Sequence, residues 1–288
     1  MNGILLLDKP KGLTSANCVY RLRKTLGHTK IGHCGTLDPL ATGLLPICIG
    51  EATRFSSYIT SQHKKYRLSA VLGIITDSGD LDGNVIKKTE VRQGSFLSES
   101  IFHQFLGKQQ QCPPMYSAIK KNGRPLYSWV RKGIYFKRDF REIEIISIEI
   151  LKVENTNFEL EVVCSKGTYI RSLVESIGKE VKVGSALVNL KRLAIGDVTL
   201  DRAVTLNSVN KNNILDHLLP ADLLISDIPS LFICKEDAKK VRKGQSVDYN
   251  AHQEITGTVK IYEENKVFLG IGSLDKNMIL QPKRLFPS

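Results

Sequence analysis

The sequence is poor in acids relative to bases: 29 Asp and Glu stand against 41 Lys and Arg, a formal net charge of +12 with a pI near 9.4. So strong a positive field draws polyanions, nucleic acid first and an acidic membrane surface second. The membrane alternative is weakened by a second lack, since no run approaches the roughly 20 apolar residues of a spanning helix. The start, Met1-Asn2-Gly3-Ile4-Leu5-Leu6-Leu7-Asp8, meets an acid too early for a signal peptide, so a cytoplasmic protein is expected. The six cysteines include no Cys-x-x-Cys and adjoin no histidine pair of zinc-site spacing, so they read as free thiols and no metal site is expected. Thr76 to Gly83 imitates a calcium loop but lacks an acid at Ser78 and a glutamate at Thr89, so it reads as a tight turn instead. Around Lys166 the glycine spacing of a phosphate-binding loop is missing. Repeats and low-complexity segments are absent too. What remains, 42% apolar and 24% charged over 288 residues, suits one large folded domain or two.

The most unusual stretch is 31–50, where Gly32, Gly35, Gly43 and Gly50 flank a single carboxylate, Asp38, followed by Pro39. It reads as an ordered loop, anchored by Leu37, Leu40, Leu44, Leu45, Ile47 and Ile49, with the acid near its rim. Taken on this loop alone, Asp38 reads more readily as a helix cap with Pro39 at the first helical position. Upstream, Ile4–Leu7 reads as a buried strand, and a helix follows, capped by Ser15, with Val19, Leu22 and Leu26 on one face and Gly27 at its end. Six bases and no acid lie between Lys9 and Lys30.

Downstream, 52–59 reads as helix, 65–73 as strand and 97–106 as helix. Residues 108–141 carry nine bases against one acid, Asp139, with Tyr116, Tyr127, Trp129 and Tyr135 interleaved and an Asn122-Gly123 hairpin signal. Such a lobe can hold phosphates and stack on bases. Two strands, 142–153 and 158–164, precede a helix that carries Arg171 in its first turns, and 187–193 returns to the sheet. Prolines between Leu215 and Pro229 suggest a boundary, after which a basic helix and short strands at 257–262, 266–271 and 278–281 suit a small β barrel.

Read together, His33-Cys34-Gly35-Thr36-Leu37-Asp38-Pro39-Leu40-Ala41-Thr42-Gly43, Lys65-Tyr66-Arg67, Thr76-Asp77-x-x-Asp80-x-x-Gly83, Pro114-x-Tyr116-Ser117-Ala118 and Lys166-Gly167-Thr168-Tyr169-Ile170-Arg171 resemble, in order, the TruB family of bacterial tRNA pseudouridine-55 synthases. The resemblance covers about residues 3–220, and the tail is similar, more loosely, to the PUA domain that follows in that family. It implies an α+β pseudouridine-synthase fold with a central mixed, largely antiparallel sheet flanked by helices, a catalytic domain over 1–225 with a thumb-like insertion at about 108–141, and a PUA-like barrel over 226–288.

The activity implied is isomerisation of the T-loop uridine at position 55 of tRNA, without cofactor, guide RNA or obligatory protein partner. Asp38 matches the family's essential aspartate, able to act as nucleophile or base. Arg171 matches the arginine that pairs with it and is expected to lower its pKa. Tyr66 matches the aromatic that stacks on the uracil, Tyr169 and Leu190 line the pocket, and His33 resembles the residue that fills the place of the flipped nucleotide. The T arm and acceptor stem of tRNA are the implied contacts of a monomeric enzyme. Cys34, where many relatives have threonine, and Trp129-Val130 depart from the pattern. Three rivals stand beside this reading: a guide-dependent synthase, a non-catalytic tRNA-binding or folding protein, and an aspartyl phosphotransferase, which would want a set of metal-binding acids that the sequence does not supply.

Overall fold

A computed structural model describes residues 1–27, 30–91, 97–249 and 255–286. Its frame is a long mixed sheet. In spatial order the strands are Val204–Thr205, β1 (Gly3–Lys9), β3 (Thr42–Ile49), Ser185–Ile195, β4 (Lys64–Leu72), Asn157–Cys164, Arg141–Glu154 and Gly107–Gln111, with β2 (Ile31–His33) on β3. Most neighbours run antiparallel, and β3 with Ser185–Ile195 is one of the parallel pairs. The α+β architecture and central sheet expected from the sequence are therefore present.

Several local readings need correction. Much of 31–50 is strand rather than loop: Leu44 to Ile49 is a continuous apolar run, and it pairs residue by residue with β1, burying both faces. Between these two strands the chain leaves the sheet from Cys34 to Ala41, and Asp38 caps no helix there. In the first helix, α1 (Ser15–Leu26), the cap is Thr14, whose hydroxyl accepts from the Asn17 amide at 3.0 Å. Ser15 is free for another task described below. The helix does end at Gly27, with φ 86°.

The helix expected over 97–106 spans only Glu99–His103, after which Phe105 and Leu106 tighten into i to i−3 bonds before the strand that starts at Gly107. Phe102 from this turn packs against Phe158, ring centroids 5.5 Å apart. Residues 52–59 form a 3₁₀ turn running into the short helix Ser56–Thr60.

The basic lobe contains the expected hairpin, Lys120–Lys121 against Arg124–Pro125, turning through Asn122 (φ 51°) and Gly123 (φ 76°). The helix Leu126–Val130 follows. Trp129 braces the hairpin: its indole N–H donates to the Lys121 carbonyl at 3.0 Å, and its ring meets Phe136 edge-on. Tyr127 and Tyr135 remain exposed.

The carboxy-terminal strands form a second sheet, ordered Ser230–Ile233, Gly257–Glu263, Phe268–Leu274, Ile279–Leu285 and Val247–Asp248, with a helix at Lys235–Arg242. It is the expected barrel with one side open, a half-barrel. Phe286 stacks on Phe55 of the first part of the chain and Phe268 meets it at a tilt, so an aromatic cluster joins the two parts. Among the described residues no helix is long and apolar enough to cross a membrane.

Candidate active site

The short excursion between β2 and β3 is held at several points, so Asp38 sits on a fixed piece of backbone. Ser15 is one anchor: its hydroxyl accepts from the Leu37 amide (2.8 Å) and faces the Leu37 carbonyl (3.2 Å). The Gly12 amide donates to the Pro39 carbonyl (2.8 Å), and the Ala41 amide closes a turn onto the Asp38 carbonyl (3.1 Å). Arg192 ties the two ends together, donating from Nε to the Leu44 carbonyl (2.7 Å) and from Nη2 to the Gly35 carbonyl (3.0 Å). The strand carrying Arg192 comes close at Gly43, where φ is 96° and a Cβ would stand 2.3 Å from the Arg192 carbonyl oxygen; only glycine fits.

Arg171 arrives from the opposite side of the sequence, in the first turn of the helix Ile170–Glu180. The entry to this helix is fixed by Gln111, whose side chain accepts from the Tyr169 amide (2.8 Å) and donates to the Tyr169 carbonyl (3.1 Å). Arg171 is buried, and its Nη2 lies 2.9 Å from Asp38 Oδ2. Nη2 also donates to the Tyr116 carbonyl (2.7 Å) and Nη1 to the Ser78 carbonyl (2.7 Å), while Nε stands 3.8 Å from Asp80 Oδ2. The guanidinium is thus aimed by two carbonyls and two carboxylates, and its fork has little freedom to point elsewhere.

A cavity of about 280 Å³ opens beside this pair. Asp38, Tyr66, Tyr169, Arg171 and Leu190 all line it, brought together from four segments. His33 does not; it ends β2, half-buried, five positions before Asp38. Its Nδ1 is buried with no hydrogen-bond partner, and burial with the Arg192 charge keeps its pKa below the ordinary histidine value, so it is neutral at pH 7.

The expected lowering of the Asp38 pKa does not occur. Loss of water against the cavity walls pushes it up, more than the Arg171 charge pulls it down, and Asp80 adds to the rise. A carboxyl held less willing to ionise is a better proton acceptor and nucleophile than a solvated one. Tyr66, nearly buried on the cavity wall, has its phenol pKa raised by the same dehydration and stays protonated.

Three charged groups of this neighbourhood escaped the sequence reading. Asp80 belongs to the quoted Thr76–Gly83 motif, but only the fold shows that it backs Arg171. It is buried in the expected tight turn, where the Ser78 hydroxyl donates to its carboxylate at 2.6 Å. Lys64 and Arg192 also line the cavity. A signal for both existed: Lys64 is two residues before Tyr66 on one strand face, and Arg192 is two after Leu190 on another.

Comparison with known proteins shows the family. The profile described as TruB family pseudouridylate synthase (N terminal domain) matches residues 23–170, and Pseudouridine synthase II TruB, C-terminal, matches 229–286. A tRNA pseudouridine synthase B from Dechloromonas aromatica (strain RCB) is 40% identical over 288 residues, covering 99% of this chain and 95% of that protein. One from Histophilus somni (strain 2336) is 38% identical over 292 residues with the same coverage. Among solved structures, a Cbf5-Nop10-Gar1 complex aligns with a TM-score of 0.76 at 23% identity, over 99% of this chain and 85% of that one, which shows a shared fold.

Proposed function

Since the chain belongs to the TruB family of pseudouridylate synthases, we propose that it isomerises uridine 55 in the T loop of tRNA to pseudouridine, alone and without guide RNA, with Asp38 as the catalytic carboxylate. The reaction breaks the N1–C1′ glycosidic bond, turns the base and joins C5 to C1′; the hydrogen on C5 goes to solvent and N1 takes one up. Nothing is added to the nucleotide overall, so no cofactor is needed. Asp38 adds to C6 or C1′, or removes the 2′ proton; each of these uses the carboxylate in its ionised form. The observation that carries the reading is the Asp38–Arg171 pair at 2.9 Å on the wall of a cavity that also presents Tyr66, Tyr169 and Leu190.

A uridine inside a folded loop cannot reach a carboxylate in a cavity unless it leaves the stack, at a cost of a few kcal/mol. Tyr66 would stack on the extruded uracil, with Tyr169 and Leu190 closing the walls, and His33, outside the cavity and neutral, would occupy the vacated place. Residues 108–141 would close over the T arm, with phosphates on the bases of the hairpin and exposed Tyr127 and Tyr135 free to stack. The module over 226–288 would reach the acceptor stem. The enzyme would act as a monomer in the cytoplasm.

The test is an unmodified tRNA transcript incubated with the pure protein and no other RNA, followed by mapping of pseudouridine. Conversion at position 55 is the expected result. Binding without conversion would favour a tRNA-binding protein, and conversion only on adding a guide would favour the guide-dependent class.

A further inference from the structure

The cavity that holds Asp38 is unequal in charge. Arg171, one cation on its wall, faces two carboxylates. The other two, Lys64 and Arg192, form no salt bridge among the described residues, yet both are more than nine-tenths buried, with relative exposures of 7% and 1%. Burying an ion without a counter-ion is costly, and backbone carbonyls compensate only in part. Arg192 donates to two carbonyls through Nε and Nη2, and Lys64 Nζ donates to the carbonyls of Thr60 and Gln62. A guanidinium has five N–H donors and an ammonium three, so each retains capacity.

Their placement follows from the sheet. Lys64 and Tyr66 alternate onto the same buried face of β4, and Arg192 is the cross-strand partner of Tyr66. The two cations therefore flank the ring assigned to the uracil. They are close enough to feel each other: burial and the Arg192 charge bring the Lys64 pKa down to about 8, with exposed Lys166 adding to the effect. An anion between them would relieve the repulsion and supply the missing partner.

We propose that Lys64 and Arg192 form an anion subsite inside the catalytic cavity that binds a phosphodiester of the flipped-out nucleotide. The inference rests on the synthase reading above. Uracil and ribose are neutral, so on an inserted nucleotide the phosphates are the groups that match two buried, unpaired cations. The subsite pulls the nucleotide by its backbone while Tyr66 holds the base, which orients C1′ toward Asp38.

The test uses T-arm stem–loop RNAs in which the phosphodiester on the 5′ or the 3′ side of the target uridine is a neutral methylphosphonate, assayed by filter binding and by single-turnover pseudouridine formation. With the wild-type protein, one of the two replacements is expected to weaken binding or slow turnover by about ten- to a hundredfold, the effect of removing a charge-assisted hydrogen bond. Lys64→Gln should already show a loss of that order on the all-phosphate RNA, and the same replacement should then add less than about threefold. If both replacements leave the wild type within about threefold, the subsite does not exist; if the replacement costs Lys64→Gln as much as it costs the wild type, Lys64 is not part of it. Failure of the wild type to convert the all-phosphate RNA would instead overturn the synthase reading, and the binding arm would still report on the subsite.

Discussion

Replacing Arg171 with methionine keeps the volume and the aliphatic stem but removes the charge and all five donors. The structure sets the consequences. Asp38 loses its partner at 2.9 Å, Asp80 loses the cation 3.8 Å away, and the carbonyls of Ser78 and Tyr116 each lose a bond of 2.7 Å. Breaking a buried ion pair by removing one side costs about 3–5 kcal/mol, so thermal unfolding should move down by several degrees. The catalytic effect should exceed what instability explains. Freed from the guanidinium, Asp38 is pushed further toward its protonated form by burial and by Asp80, and its direction is no longer fixed. A carboxylate misplaced by about 1 Å can lose about a hundredfold in rate. Single-turnover assays at saturating enzyme, well below the unfolding temperature, should therefore show at least such a loss, smaller at high pH because ionisation is restored there. Arg171→Lys, which keeps the charge without the fork, should recover part of the stability and little of the rate. A folded Arg171→Met protein that turns over within about threefold of wild type at neutral pH would refute the argument that this arginine aims and ionises the acid.

Other outcomes follow from the same geometry. Ionised Asp38 is disfavoured in the folded chain, a penalty that is absent below the unfolded pKa of 3.8, grows as pH rises toward the higher folded value, and is complete above it. Asp38→Asn removes it, and Arg171 keeps Asp80 and the carbonyls of Ser78 and Tyr116 as partners, so this variant should lose much less stability at pH 7 than Arg171→Met; a loss as large as that of Arg171→Met would contradict the burial argument. Tyr66→Phe should retain most activity, whereas Tyr66→Ala should lose the base platform, about 1–3 kcal/mol in binding or turnover, measured on a T-arm stem–loop. Gly43→Ala places a Cβ against the Arg192 carbonyl at positive φ and should lower the unfolding temperature, a strain of about 1–3 kcal/mol that calorimetry can read. Replacing Lys120, Lys121 and Arg124 by alanine should weaken tRNA binding and flatten its salt dependence, with the log–log slope falling by about one for each phosphate that is no longer neutralised.

The sequence was informative where local chemistry and ordered motifs agreed. The hairpin at Asn122-Gly123 appears because a type I′ turn needs positive φ at both central residues, and those two residue types supply it. Asp38, Tyr66, Tyr169 and Arg171 could be named as one group because their motifs occur in the family's order, with Leu190 added by the resemblance, although no local rule says that residue 171 meets residue 38. What stayed hidden was tertiary. The burial that raises the Asp38 pKa depends on walls contributed by segments more than a hundred residues away, so charge pairing alone pointed to the wrong sign. Lys64 and Arg192 looked like two more bases in a basic chain until the sheet placed them side by side around Tyr66. The helix expected through Leu106 was shortened because its apolar residues also suit a single turn feeding the edge strand at Gly107, and tertiary pairing of that strand decides the matter.

The central claim is that Asp38 is the acting group rather than a structural one. It is tested most directly by tritium release from a tRNA transcript labelled at uracil C5, comparing wild type with Asp38→Asn at protein concentrations where filter binding shows both to be saturated with RNA. The expected result is release by the wild type and none above background by Asp38→Asn, with equal tRNA binding and an intact fold. Release by Asp38→Asn at a rate within about tenfold of wild type would contradict the account.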